Sequence, residues 1–162
     1  MRNKLLLSII VLFLVSAAPL ACSKPSKEEI YIDATKEYIS ALQSIIKDVK
    51  PLDQRKLWES EPWRSELQYQ ANKTSNAIAV FEKSIPPDEL LEHKAKLISA
   101  GRNIADYLTQ LYLLAVGIAE KQPIDKTALI LQSLVKSDPL AKGINNLMEA
   151  NIIMQKYKRT AK

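Results

Sequence analysis

Eight prolines divide this chain into segments whose apolar residues recur every three or four positions. That spacing places apolar side chains on one face of an α-helix, and proline ends a helix because it has no amide hydrogen to donate. Glycine is scarce, with three residues in 162, and no long stretch after residue 25 alternates between apolar and polar residues as a strand does. The pattern therefore predicts an all-α protein.

The first helix is predicted from Ser26 to just before Pro51. Ser26 and Glu29 have the spacing of a capping box, in which each side chain accepts a hydrogen bond from the backbone amide of the other residue. One apolar stripe follows at helical spacing. It comprises Tyr31, Ala34, Tyr38, Leu42, Ile45 and Val49.

Two further helices are predicted between residues 60 and 122. The second begins at 60–62, because proline is tolerated in a first helical turn, and stops at Pro86-Pro87. The third begins near Asp88, where acidic side chains suit the positive end of the helix dipole, and ends near Pro123. Since residues 104–119 are apolar on most faces, we expect the third helix to be the most buried.

A fourth helix is predicted from about Asp125, with a kink or break at Ser137-Asp138-Pro139. Residues 53–59 form a candidate for an additional short helix. Four amphipathic segments with short connections favour an antiparallel up-down four-helix bundle.

The first 21 residues have the composition of a secretory leader. Arg2 and Lys4 form a positive start, and a mostly apolar run follows from Leu5 to Val15. The leader closes on Pro19-Leu20-Ala21-Cys22. Cys22 is the only cysteine, so it cannot form an internal disulfide, and a lone cysteine in a secreted chain needs another explanation.

The sequence Pro19-Leu20-Ala21-Cys22 resembles the lipobox of bacterial lipoproteins, although Pro19 stands where leucine is usual and Leu20 where a small residue is usual. The resemblance implies a diacylglycerol on Cys22, which becomes the first residue of the mature chain. Ser23, rather than Asp, implies an outer-membrane protein facing the periplasm in a Gram-negative cell. The alternative is an uncleaved anchor, since 17 residues from Leu5 to Ala21 are the lower limit for spanning a bilayer.

With this resemblance, the chain divides into a signal peptide (1–21), a lipidated tether (22–25), a helical bundle (26–158) and a basic tail (159–162). Of 23 basic and 18 acidic residues, Arg2 and Lys4 lie in the leader, which leaves the mature segment a net charge of +3. This evenly mixed charge argues against nucleic-acid binding.

The tether reaches only about 10–14 Å from Cys22 to Ser26 at full extension. In an up-down bundle the last helix ends where the first begins, so the basic carboxyl-terminal residues are predicted to face lipid headgroups, each contributing about 1 kcal/mol. The alternative is a solvated tail that complements the helix dipole. The residues concerned are Lys156, Lys158, Arg159 and Lys162.

Trp58, Trp63 and Arg64 form a candidate interaction site, because aromatic residues and arginine are enriched at protein interfaces. Trp63 can alternatively head the core stripe of the second helix, and Trp58 can cover the end of the bundle. Trp58 is the better interface candidate.

His93 is the only histidine, which excludes a multi-histidine zinc site. In the predicted bundle it approaches Met148 or Met154, and a His/Met pair across a four-helix bundle resembles the axial ligation of periplasmic b-type cytochromes. The simpler interpretation is a surface or boundary histidine, with methionines that fill the core. Asp106 lies four residues after Arg102, and we expect the two to form an ion pair.

The stretch Ile85–His93 is similar to a helix opening of small, mostly uncharacterised helical secreted proteins, which implies the fold alone. No phosphate loop, CxxC pair or nucleophile elbow is present, so we expect no catalytic residues, no metal and no cofactor beyond the lipid on Cys22. The first hypothesis is a membrane-anchored envelope lipoprotein acting as a protein-interaction or assembly module with an envelope partner. The alternative is a ligand- or haem-binding bundle that uses His93 with Met148 or Met154.

Overall fold

A computed structural model describes residues 24–49 and 58–160 of the chain. This part is helical and contains no strand, which confirms the predicted all-α bundle. A short 3-10 turn at Asp88–Leu90 precedes the third helix. The α-helices are α1 (Lys27–Val49), α2 (Glu61–Glu82), α3 (Leu91–Ala119), α4 (Ile124–Ser137) and α5 (Pro139–Thr160). The leader, Cys22, Lys162 and most of the candidate helix at 53–59 lie outside the described residues, and residues 58–59 form a turn.

The predicted capping box starts α1. The Glu29 amide donates to Ser26 Oγ at 3.1 Å, and the Ser26 amide donates to Glu29 Oε2 at 2.7 Å. Two amide hydrogens that the helix itself cannot satisfy are thereby bonded. The regular structure consequently begins only four residues after Cys22.

Aromatic contacts show that α1, α2 and α3 run antiparallel in turn. Phe81, near the end of α2, stacks on Tyr38 of α1 with ring centroids 4.4 Å apart. His93, in the first turn of α3, meets the edge of Tyr31 with centroids 5.8 Å apart. The first turns of α1 and α3 therefore lie beside the last turn of α2, and we call this the N-terminal end of the bundle.

The central helix is α3, which packs against both α2 and α5 over most of their lengths. It contributes more buried residues than any other helix of the described part, as predicted. Asn146 of α5 donates to Ser99 Oγ of α3 at 3.0 Å, and Lys96 pairs with Glu149 one turn further on. As the residue numbers of α5 rise along these contacts, those of α3 fall, so the two helices are antiparallel. Helix α5 therefore ends at the N-terminal end of the bundle.

The predicted fourth helix is divided at Asp138 into two helices, α4 and α5. This residue has left-handed backbone angles, φ 39° and ψ 60°, and its amide donates to the Leu134 carbonyl at 3.0 Å, which ends α4. Its carboxylate accepts the Ala141 amide at 3.2 Å, which caps the start of α5. The predicted kink before Pro139 is thus a complete break.

Candidate functional site

A cleft of about 540 Å³ lies at the N-terminal end of the bundle, between the beginning of α3 and the end of α5. Antiparallel packing of these two helices brings an acidic first turn beside a basic last turn. The lining residues are Glu89, Glu92, Ile153, Lys156, Tyr157 and Thr160.

Tyr157 connects the cleft to the start of α1. The carboxylate of Glu28, the second residue of α1, lies close to its hydroxyl. Partial burial and the nearby carboxylates of Glu28 and Glu89 raise the pKa of the Tyr157 hydroxyl. The end of α5 therefore meets the start of α1, which is the placement predicted for the basic group, and Lys156, Lys158 and Arg159 lie in the last two turns of α5.

Charges of both signs line the cleft without neutralising each other. Among the described residues, neither Glu89 nor Glu92 nor Lys156 takes part in an ion pair. All three side chains are exposed to solvent. The cleft consequently offers two free carboxylates on one wall and a free ammonium on the other.

His93 is buried behind this end of the bundle, with 1% of its surface exposed. The expectation of a surface or boundary histidine was therefore wrong. Its position in a charged first turn suggested solvent, but Tyr31 of α1 packs against the His93 ring, and Phe81 of α2 packs against Tyr31. Burial lowers the pKa of the His93 imidazole to about 4, so the ring is neutral at neutral pH.

One ring nitrogen of His93 has a partner and the other has none among the described residues. Nδ1 lies 2.8 Å from the Tyr31 hydroxyl, while Nε2 is buried and unpaired. A buried N–H without an acceptor is rarer than an unpaired acceptor, which favours the proton on Nδ1 and a lone pair on Nε2. Burial also raises the pKa of Tyr31 to about 12. The His93–Tyr31 pair is therefore an uncharged link between α3 and α1.

The two methionines predicted beside His93 lie in different environments. Met148 is 60% exposed and belongs to an outward-facing row on α5 with Ile144 and Ile152. Met154 is half-buried and packs against the core. Of the two, only Met154 faces the interior, where His93 lies.

Trp58, Trp63 and Arg64 lie at the opposite end of the bundle, where α2 begins. Trp63 is buried and heads the core stripe of α2, as the alternative interpretation predicted. The Arg64 guanidinium donates to the Trp58 carbonyl at 3.1 Å, and Trp58 packs in part against the core. This cluster closes the end of the bundle, and Trp58 is the less buried of its two tryptophans.

The expected Arg102–Asp106 ion pair was wrong. Arg102 instead pairs with Glu82 of α2 at 2.8 Å, and Asp106 accepts a hydrogen bond from Gln110 at 2.9 Å. Arg102 therefore binds a carboxylate of the neighbouring helix α2 rather than the carboxylate of Asp106, one turn further along α3.

Helix α4 has an exposed apolar row that the sequence pattern did not predict. No residue of α4 is buried, although the helix is strongly amphipathic. Ile124 is 83% exposed, Leu131 46% and Val135 75%, and Ala128 between them is exposed as well. These four residues follow the spacing of one helical face, and we call them the α4 stripe. Sequence spacing shows that such a face exists, but it does not show that α3 leaves it uncovered.

Within the described residues, no group of three or more His, Cys, Asp or Glu side chains could hold a metal ion. None of the helices described there combines the length and hydropathy needed to cross a membrane. The chain matches no family model, and it has no significant similarity to a curated protein or to a solved structure.

Proposed function

We propose that the chain is a lipid-anchored protein of the bacterial cell envelope, in which the helical bundle binds another envelope protein and catalyses no reaction. The anchor is a diacylglycerol on Cys22, in the outer membrane if the cell is Gram-negative. The binding surface is the α4 stripe. The observation that carries the proposal is an amphipathic helix of 14 residues, none of them buried.

The distance between anchor and bundle supports this arrangement. The capping box at Ser26 starts the rigid part of the chain four residues after Cys22, a reach of about 14 Å at most. The N-terminal end of the bundle therefore stays near the lipid headgroups. Lys156, Lys158 and Arg159 lie at that same end, where anionic lipids attract them.

The position of α4 favours a protein as its partner. Gly117 of α3 contacts Thr127 of α4, and Gly117 is 26 residues beyond Leu91, or about 39 Å along the helix. With its N-terminal end at the bilayer, the bundle holds the α4 stripe away from the lipid. Exposed apolar rows of this kind mark protein-binding faces, and an apolar helix face or groove is the matching surface.

The anchor is tested by mass spectrometry of the amino-terminal peptide from membrane-extracted protein. We expect Cys22 to be the first residue and to carry a diacylglycerol, and we expect Cys22→Ala to leave the membrane fraction. An unmodified Cys22 in the mature protein contradicts the anchor.

The binding surface is tested by a photo-crosslinking residue placed at Leu131 in living cells. Val80 on α2 is the matched control, because it is also an exposed apolar residue on a helix. We expect an adduct from position 131 that is absent from position 80 and is lost when Ile124→Glu or Val135→Glu is added to the protein. The same adducts from both positions, or adducts that persist in these variants, contradict the proposal.

The second candidate function is ligand or haem binding, and the unpaired Nε2 of His93 favours it. Met154 is the methionine that faces the core, so the His/Met version depends on His93 with Met154 rather than Met148. The test is absorbance after haem is added to the purified protein. A Soret band that is lost in both His93→Phe and Met154→Leu supports this function, and an unchanged spectrum contradicts it.

A further inference from the structure

We propose that the cleft between α3 and α5 binds the phosphoethanolamine headgroup of a membrane phospholipid. The inference deepens the proposed function, since it depends on the anchor to bring this end of the bundle to the headgroup layer. It assigns a ligand to the N-terminal end that is separate from the protein partner of the α4 stripe.

The charges of the cleft match those of a zwitterion. Glu89 and Glu92 provide two carboxylates from the start of α3, and Lys156 provides an ammonium from α5. The helix dipoles account for the sign of each charge, and the antiparallel packing brings both signs to one cleft. None of these groups forms an ion pair with a described residue, and the one charged neighbour of Glu92, Lys96, is paired with Glu149. The three groups can therefore bind a ligand whose own charges are a few ångströms apart.

Each part of phosphoethanolamine has a counterpart in the cleft. The ammonium is placed between the Glu89 and Glu92 carboxylates, and the phosphate beside the Lys156 ammonium. Ile153 gives the two-carbon link an apolar contact. Charge-assisted hydrogen bonds of this kind are the stronger class in proteins.

Selectivity follows from the same arrangement. A phosphoglycerol headgroup has no ammonium and leaves the two carboxylates facing a phosphate, which is repulsive. A phosphocholine headgroup has a positive charge but no N–H, so it cannot donate hydrogen bonds to either carboxylate. Ethanolamine is therefore the headgroup that satisfies all three charged side chains.

The cleft also lies at the end of the bundle that the anchor brings to the lipid headgroups. Tyr157, which lines the cleft, lies close to Glu28, and Glu28 is six residues after Cys22 in the chain. Glu28 is in the first turn of α1, between the two residues of the capping box. A lipid anchored through Cys22 and a neighbouring phospholipid headgroup therefore occupy the same layer.

The test uses the full-length protein in a neutral detergent, titrated with the water-soluble headgroups glycerophosphoethanolamine, glycerophosphoglycerol and glycerophosphocholine. Binding is followed by NMR shifts of Ile153, Tyr157 and Thr160. We expect glycerophosphoethanolamine to bind about tenfold more tightly than the other two, as the loss of one charge-assisted hydrogen bond predicts.

Variants separate the two walls of the cleft. Glu89→Gln combined with Glu92→Gln is expected to remove the preference for ethanolamine, and Lys156→Gln is expected to weaken binding of all three headgroups. Glu120→Gln and Lys136→Gln are matched controls, since both residues are exposed and lie outside the cleft.

Equal affinity for the three headgroups, no saturable binding, or unchanged affinity in the cleft variants would each overturn the proposal. The soluble probes reach the cleft whether or not Cys22 is acylated. A failure here therefore contradicts the headgroup site alone, whereas an unmodified Cys22 contradicts the anchor.

Discussion

Consecutive helices of this chain, α3 and α4, use apolar residues in opposite ways. Helix α3 is covered by α1, α2 and α5 and buries residues along its whole length, including Leu97, Ile104 and Leu108. Helix α4 is the more strongly amphipathic of the two, yet it packs mainly against α3 and has no fully buried residue. The difference shows that an apolar face stabilises the bundle only where a second helix covers it, and that an uncovered face is left for another molecule.

The largest expected effect contrasts a leucine on each helix. Leu97 of α3 is fully buried, so Leu97→Ala should lower the free energy of unfolding by about 2–5 kcal/mol. Leu129 of α4 is 65% exposed, and Leu129→Ala should lower it by less than about 0.5 kcal/mol. Urea denaturation of both variants measures the contrast. Similar losses in the two variants would break the comparison.

A second contrast concerns pH, because α3 buries a neutral histidine. In the unfolded chain His93 takes up a proton below about pH 6.5, whereas in the native protein it does so only near pH 4. The contribution of the neutral His93 to the free energy of unfolding is therefore fully present above pH 6.5. It is lost as the pH decreases towards 4, by about 3 kcal/mol in total.

The pH effect is measured by urea denaturation between pH 7 and 4. The carboxylates titrate in the same range, so the His93 contribution is the difference between the native protein and His93→Phe or His93→Gln. In both variants the decline should be shallower. Parallel curves for the native protein and the two variants would show that His93 is not responsible.

The third contrast uses two glycines of α3. A Cβ on Gly101 would collide with the Tyr38 hydroxyl and lie 2.8 Å from Ile78 Cγ1, in the fully packed region. We expect Gly101→Ala to lower the free energy of unfolding by about 1–2 kcal/mol, since overpacking outweighs the gain in helix propensity.

Gly117→Ala is the matched variant of the third contrast. Its Cβ would lie 2.7 Å from Thr127 Cγ2, and only α4 needs to move to make room. The unfolding free energy should therefore change by less than about 0.5 kcal/mol, because Ala also favours the helix. Equal losses for Gly101→Ala and Gly117→Ala would mean that α4 is held as firmly as α1 and α2.

The fourth contrast is at Asp138, where α4 ends. Asp138→Ala should lower the free energy of unfolding by about 1 kcal/mol, because alanine does not favour the left-handed backbone and cannot cap α5. Asp138→Asn keeps both properties and should leave stability unchanged. Thermal unfolding of the two variants is the measurement, and an equal loss in both would contradict this account of the break.

Sequence patterns predicted the helices well because their signals are local. The capping box at Ser26 and the prolines at 62, 86 and 139 act on the backbone within one turn, so helix ends follow from a few neighbouring residues. Of the apolar row predicted for α1, Tyr31, Tyr38, Leu42 and Ile45 are buried, and Trp63 at the head of α2 is buried as the alternative interpretation predicted.

The candidate sites were less predictable, because they depend on which helices meet. His93 is covered by Tyr31, 62 residues earlier in the chain, and Arg102 pairs with Glu82 across a helix interface. The cleft combines residues of α3 with residues more than 60 positions later. No local pattern records such distant neighbours, and one apolar face of α4 looks the same in sequence whether or not it is covered.

The left-handed break at Asp138 separates α4 from α5, so the two helices need not unfold together. Helix α4 ends there and is held by one neighbour, so it can open while α5 remains packed on α3. Its amide hydrogens should then exchange with solvent long before those of α3. A protein that binds the α4 stripe would slow this exchange, and part of its binding free energy would be used to keep α4 folded.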